Sequence, residues 1–380
     1  MSARECFRRG TPLIPHDPKS IVFNKQEGFV LKRIMYLFVV VMSIGMILVN
    51  PLCAAHDEPN EGQAVFEKGK DVPYSLEPAL LLFLLDDVPE EENDFFVADY
   101  SMGDLPVSDK FSDRVDMGLL DHPDIHEASG IVTSRQEPDL LWTHNDSGDN
   151  NRIFLVRNDG TRQGTFLLKG AFNRDWEDIA AGPGPVEKVH YLFVGDIGDN
   201  RARYTYKYIY RFPEPDVGTA DASVNWVEVD HVEIITFVYP DGILMDAETL
   251  MVDPRTKDIY IVTKREKPVT VYRLPYPQST THVILAEKYG TLPFTYAVGG
   301  DVSADGKEIL IKTYNEVYLW SRNQGESMRN AFMRPPFRCK YTPEPQGEAI
   351  AFALDGSGYY TLSEIFAGTL PRIYFYKRKK

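Results

Sequence analysis

Five times along this chain, about every 50 residues, an acidic side chain stands at the opening of a short strand-like segment. These are Glu127 in HEASGIVTS, Glu177 in DWEDIAA, Glu248 in DAETLMVDP, Asp301 in GGDVSADG and Glu348 in GEAIAFALDG. A period of this length calls for a propeller, a solenoid or an array. From Phe111 onward, runs rich in Val, Ile, Tyr, Phe and Thr alternate with Gly, Pro, Asp and Asn clusters, the composition of an all-β domain.

The runs between the acids keep a constant order. Second strands are expected at Leu140–Thr143, Tyr191–Val194, Ile259–Thr263, Ile309–Thr313 and Tyr359–Leu362. Third strands follow at Ile153–Val156, Tyr208–Phe212, Val271–Leu274, Val317–Trp320 and Ile373–Tyr376, and fourth strands near Thr165–Leu168, Val232–Val238, His282–Ala286 and Arg338–Tyr341. The last unit lacks a fourth strand, and Arg114–Leu120 is a spare one upstream. Lending it to the last blade closes a ring and removes exposed sheet edges. The expected fold is therefore an all-β, five-bladed β-propeller over residues 111–380, closed by its N-terminal strand. A six-bladed ring is the nearest alternative, since Pro213–Val229 has room for another strand. Trp142, Trp176, Trp226 and Trp320 read as blade packing, and Lys377–Lys380 as a solvated tail.

Upstream of the propeller the texture differs. Residues 1–34 form a basic leader. Residues 35–55 carry a run of about fifteen apolar residues, preceded by Lys32 and Arg33 and followed by Leu52-Cys53-Ala54-Ala55. This is the layout of a signal peptide, with an uncleaved membrane anchor as the alternative, although the run is shorter than the ~20 residues of a usual span. Residues 56–110 read as an acidic flexible linker: His56–Pro106 holds fourteen acidic residues and two lysines. One apolar patch within it, Ala79–Leu85, is expected to pack on the domain. The chain is accordingly expected to be secreted or in the lumen of the secretory route, or else anchored by a single pass.

The net charge of −15 argues against nucleic acid, whose phosphates would repel it. Cysteines occur only at 6, 53 and 339, so a processed chain keeps Cys339 alone and has neither an internal disulfide nor a thiolate zinc site. No His-Glu-x-x-His, nucleophile elbow or phosphate-cradling glycine loop is present. The Asn145-Asp146-Ser147 sequon lies where a glycan would block the mouth described next, and it reads as unused.

In a propeller the first strand of each blade lines the axis. The candidate ligands Glu127, Glu177, Glu248, Asp301 and Glu348 should therefore meet at one mouth. Two matched turns, Asp146–Asn150 and Asp196–Asn200, share the pattern Asp-x-Gly-Asp-Asn and bring Asp146 and Asp196 to the same end. Carboxylates crowded together must take up protons, pair with bases or bind a cation. Oxygen ligands without thiolates select a hard ion such as calcium. Glu177 and Glu248 are the central ligands expected, with Asp178 and Asp246 beside them as buttresses. The ends of the second strands add His144 as candidate base, Lys264 and Arg265 as anion clamps, Tyr314 as a further catalytic group, and Asn145 and Lys312 as substrate contacts. A metal-free salt-bridge network tying the blades together is the other reading of the same residues.

Asn145-Asp146-Ser147-Gly148, Asp175–Ala180 and Gly195–Asn200, in that order, resemble a family of secreted or surface five-bladed β-propeller proteins with little assigned activity. The resemblance spans about Glu127 to Glu364. More distantly, the acid-before-strand pattern and the basic third blade are similar to the calcium-activated nucleotidase (apyrase) propellers, which hold axial calcium and hydrolyse nucleotide phosphates; that family's longer motifs are absent here. Lactonase-type propellers also hold axial calcium. The nucleotidase and lactonase resemblances imply a calcium-dependent hydrolase of a small anionic or ester substrate such as a phosphoester or lactone. The alternative is a non-catalytic propeller that grips an extracellular protein, touching membrane only through the N-terminal apolar segment.

Overall fold

The computed structural model describes residues 95–120 and 122–379. The basic leader, the apolar segment and the linker as far as residue 94 lie outside the described residues. Among the described residues, no helix is long and apolar enough to cross a membrane.

Two short segments come first, β1 (Phe96–Val97) and β2 (Phe111–Leu119). Blade one is β3 (Ala128–Thr133), β4 (Leu140–Asn145), β5 (Arg152–Arg157) and β6 (Arg162–Leu168). Blade two is β7 (Trp176–Pro183), β8 (His190–Asp196), β9 (Lys207–Pro213) and, after β10 (Val227–Val229), β11 (Glu233–Val238). Blade three is β12 (Ala247–Val252), β13 (Ile259–Thr263), β14 (Val269–Leu274) and, after β15 (Ile284–Leu285), β16 (Glu287–Leu292). Blade four is β17 (Ala297–Val302), β18 (Glu308–Thr313), β19 (Val317–Ser321) and β20 (Phe337–Cys339), with helix α1 (Met328–Phe332) before the last strand. Blade five is β21 (Gly347–Phe352), β22 (Gly358–Ser363) and β23 (Arg372–Arg378), completed by β2.

Each blade is an antiparallel meander, and the inner strands touch in a closed circle: β3 to β7, β7 to β12, β12 to β17, β17 to β21, and β21 back to β3. The closing strand β2 pairs antiparallel with β23, Val115 facing Phe375 and Asp116 facing Tyr374. This is a five-bladed propeller. The segment that left room for a sixth blade supplies β10 instead, which adds parallel to β6 on the outside of blade one.

The fourth strand of blade three differs from expectation. It is Glu287–Leu292, not His282–Ala286; residues 284–285 pair with β11 of blade two. The strand EKYGTL is poor in apolar side chains because its cover comes from elsewhere. Gly290 leaves room for the ring of Phe96, which also packs edge-on to Tyr289 (5.7 Å) and stacks on Phe332 (5.8 Å). Fully burying one such ring stabilises by roughly 1.5–3 kcal/mol. Residues 95–110, expected within the linker, include β1 and the residues that follow it. β1 lies parallel to β16, and Val107 bridges to Arg338 beside blade four. Its Phe96 is an anchor that an acid-rich composition hides.

All five inner strands are buried along most or all of their length, and the core lies between adjacent blades in five clusters. Trp142, Trp176 and Trp320 are in these clusters; Trp226, expected there, is half exposed in the loop before β10. Polar pins cross between blades at the axis. Ser129 Oγ donates to Glu177 O (2.7 Å) and Thr133 Oγ1 to Phe352 O (2.6 Å). Asp178 Oδ2 accepts from Leu250 N (2.9 Å) and Asp301 Oδ2 from Phe352 N (2.8 Å).

Candidate functional site

A bulge near the start of every inner strand decides which side chains reach the mouth. The register slips between Ala128 and Ile131, Trp176 and Asp178, Ala247 and Thr249, Ala297 and Gly299, and Gly347 and Ala349. A bulge re-aims the extra residue. In blades two, three and five that residue is Glu177, Glu248 and Glu348; in blade four it is Val298 and in blade one it falls at Ser129. Only three of the five recurring acids therefore share one place. Glu127 lies two residues before the blade-one bulge, half exposed, with His126 Nε2 at 3.8 Å. Asp301 lies three residues beyond Val298, deeper along the axis, and serves as the pin to Phe352. The sequence pattern counts acids before strands and is blind to a slip of two or three positions.

Glu177 is the centre of the arrangement. Its carboxylate lies within 4.8 Å of Asp146 and Asp175 on one side and of Asp246 and Glu248 on the other. Both Glu177 and Glu248 are almost wholly buried, and Glu177 Oε1 and Glu248 Oε2 have no hydrogen-bond partner. Burial raises both pKa values well above the carboxylate range, and the neighbouring acids, Glu248 and Asp146 for Glu177 and Glu348 for Glu248, push further. Asp146, half-buried, is pushed up to about 7, first by burial and then by Asp175. Burial and Asp246 raise Asp175 as well. Such groups lose free energy when charged, and a bound cation returns it.

Asp175 was not among the expected ligands, although it opens the DWED run. Its position is set by the second Asp-x-Gly-Asp-Asn turn, where Gly198 N donates to Asp175 O (3.2 Å). The two turns have different roles. Asp146 of the first joins Asp175 and Glu177, whereas Asp196 of the second faces Arg174 at 3.2 Å, outside both groups, with its pKa raised to about 6 chiefly by burial. Asp199 instead pairs with the buried Lys207 (3.2 Å), a base the sequence reading did not single out.

The bases are distributed unevenly. Lys264 Nζ is hydrogen-bonded to Glu248 Oε1 and lies 3.8 Å from Glu348 Oε1. Tyr314 donates to that same Glu348 oxygen (2.6 Å). Arg265 Nε lies 2.6 Å from Asp246 Oδ2, and its Nη2 donates to Asn200 Oδ1. The Glu177–Asp246–Glu248 group thus carries two counter-charges of its own. No ion pair joins Asp146, Asp175 or Glu177 to a base among the described residues. Asp246, expected behind the ligands, is itself within the second group, while Asp178 is spent on the backbone of Leu250 and Ile179.

Three other expected residues are used structurally. His144 is fully buried, with Nδ1 2.9 Å from Asn145 O, and burial lowers its pKa to about 4. A β-carbon on Gly130 would stand 2.6 Å from its Nε2, so the ring lies beneath the inner strand and not at the mouth. Asn145 Oδ1 accepts from the backbone of His126 and Glu127 (3.1 Å each), and its Nδ2 donates to Asp124 O and Asp149 Oδ2 (2.7 Å each). Lys312 is buried, donating to Gly347 O and to Thr313 O (3.3 Å), with its pKa lowered by burial to about 8.

No family model matches this chain, and no curated protein matches it in sequence. Among solved structures it is similar to a luciferin-regenerating enzyme at 11% identity and TM-score 0.37, over 67% of this chain and 92% of that one. It is also similar to the Pan2 WD40 domain of Neurospora crassa at 10% identity and TM-score 0.39, over 72% of this chain and 98% of that one. A third likeness is to the β-propeller domain of Cps50 (Swd1) from Myceliophteria thermophila at 11% identity and TM-score 0.36, over 71% of this chain and 99% of that one.

Proposed function

We propose that this chain is an exported propeller that binds a calcium ion at the acidic mouth and hydrolyses a phosphoester or lactone there. One observation carries the reading. Glu177 Oε1 is buried among carboxylates and unpartnered, on the side where Asp146 and Asp175 also lack a base. Three to five oxygens with no thiolate suit a hard cation of flexible geometry. Glu177, Asp146 and Asp175 would hold it. When bound, the cation supplies Lewis-acid polarisation of a substrate oxygen. The buried His144, beneath the inner strand, is not the base. Arg265, half exposed, faces an arriving anion. The distant likeness of the acid-before-strand pattern and the basic third blade to calcium-activated nucleotidases supports this reading, and the apolar run at 35–55 supports export.

The experiment is a screen of the purified protein against nucleotides, simple phosphoesters and lactones, with calcium and with chelator. Turnover that chelator removes is the expected result. Absence of turnover on all three classes by a folded protein overturns the hydrolase. Cell fractionation tests export: an unprocessed chain in the cytosol contradicts it.

A second reading has its own observation. Lys264 sits between Glu248 and Glu348, and Arg265 sits on Asp246 and Asn200, as in a network that ties blades two, three and five together. In that case the propeller is a non-catalytic module gripping an extracellular protein, and chelator leaves its stability unchanged.

A further inference from the structure

The loops around the acidic mouth are mostly charged. Asp146–Asn150, Asp196–Arg203 and Lys264–Lys267 carry acids and bases, but residues 365–370, reading IFAGTL, carry none. All six are exposed, Phe366 at 51%. They form a tight hairpin between β22 and β23. Phe366 and Thr369 exchange backbone hydrogen bonds, Thr369 N to Phe366 O at 2.8 Å, with Ala367 (φ 50°) and Gly368 (φ 80°) at the turn. A non-glycine residue at positive φ is disfavoured, so this tip is held in shape against a local penalty. Its legs are tied down: Glu364 N donates to Gln346 O (3.1 Å), Ile365 N to His126 O (3.3 Å), and Leu120 N to Pro371 O (2.9 Å).

The hairpin springs directly from the acidic mouth. Glu364 at its base follows Ser363, which pairs with Gly347 next to the bulged Glu348. Glu348 accepts from Tyr314, whose ring lies 6.1 Å from that of Tyr296. Tyr296 is 47% exposed. Exposed apolar groups are therefore linked to Glu348 by two routes, the hairpin through β22 and Tyr296 through Tyr314. Exposed apolar groups clustered beside a polar pocket mark a binding surface.

We propose that the mouth and this hairpin form one site for an amphiphile: an oxyanion meets the cation, and its hydrocarbon or aryl group lies against Ile365, Phe366, Leu370 and Tyr296. The inference rests on the cation reading above and names the substrate class within it. Charge complementarity selects the head, because a cation among carboxylates leaves an outward coordination site for an anionic oxygen. The uncharged rim selects the tail.

The test is isothermal titration of the full chain, saturated with calcium, with inorganic phosphate and with hexyl phosphate. Hexyl phosphate is expected to bind about tenfold tighter or better, since each buried methylene adds to affinity. The double variant Ile365→Ser, Phe366→Ser should lose that gain with calcium affinity unchanged, and Phe366→Leu should keep most of it. Equal binding of the two phosphates, or no binding of either, overturns the amphiphile site and leaves the cation reading standing. Undiminished hexyl phosphate binding by the double serine variant also overturns it. If calcium itself does not bind, both readings fall. Sedimentation with phosphatidylserine–phosphatidylcholine vesicles assigns the source: calcium-dependent sedimentation points to a lipid headgroup, and hexyl phosphate binding without sedimentation points to a free amphiphile.

Discussion

Gly198 and Glu177 are in such close approach that a β-carbon at position 198 would collide with Glu177 Oε1; it would also stand 2.7 Å from Asp175 Oδ2. The glycine of the second Asp-x-Gly-Asp-Asn turn thus leaves open the space in which two of the clustered carboxylates meet. Gly198→Ala is expected to push both carboxylates aside and abolish calcium binding in a titration. Retained binding would remove Glu177 and Asp175 from the site.

Glu177→Gln tests the cation through stability. Binding to the folded state alone stabilises by about 2.7 kcal/mol at a hundredfold excess over the dissociation constant. Calcium should raise the melting temperature of the wild-type chain, chelator should reverse the rise, and the variant should show neither. A wild-type melting curve indifferent to chelator favours the salt-bridge network.

Lys264→Met takes the counter-charge from Glu248 and Glu348. Breaking a buried pair by removing one partner costs about 3–5 kcal/mol. The chelated variant is expected to melt well below wild type. Its calcium affinity should rise, because the mouth has become more negative. Destabilisation with weaker calcium binding would mean that Lys264 shapes the ion site and does not merely neutralise its far side.

Protonation gives an independent check. Asp146 has its pKa raised from the ordinary 3.8 to about 7, by burial first and then by Asp175, Glu348 and Glu127. The folded chain therefore holds a proton that the unfolded chain releases, and stability falls as pH rises through that window. Buried His144, lowered to about 4, works oppositely below its ordinary 6.5. Between pH 6.5 and 8 Asp146 contributes of order 1 kcal/mol, in the same direction as the raised Glu177, Glu248 and Glu364 and opposed by the buried Lys312. The chelated protein should melt higher at pH 6.5 than at pH 8. Calcium should flatten the difference, and Asp146→Asn should reduce it. A slope of the opposite sign refutes the assignment.

Away from the mouth, Arg322 forks onto Asp253, Nη1 to Oδ1 at 3.0 Å and Nη2 to Oδ2 at 2.9 Å, both side chains buried and joining blades three and four. Arg322→Met should cost about 3–5 kcal/mol by stranding Asp253. Denaturant unfolding reads this, and calcium affinity at temperatures where the variant stays folded should not change.

The architecture was legible in the sequence because it repeats. Alternation within strands, turn residues between them and a surplus strand at Arg114–Leu120 are local or periodic signals, and ring closure follows from them with few alternatives. Acid enrichment at the mouth was legible for the same reason: Glu177, Glu248 and Glu348 recur at one place in the repeat. Tertiary structure decided what no local signal carries. The bulges assigned Val298 and Ser129 to the places expected for Asp301 and Glu127, because a register slip depends on pairing with the second strand. Burial turned His144 and Asn145 into supports, since their partners, the backbones of Asn145 and of residues 124–127, face them only after folding. Asp175 joined the site through a turn from the neighbouring hairpin, and Phe96 joined blade three across nearly two hundred residues. Chain composition determines how many charges must be accommodated; the distances between them, and hence which carboxylate remains without a partner, exist only in the closed ring.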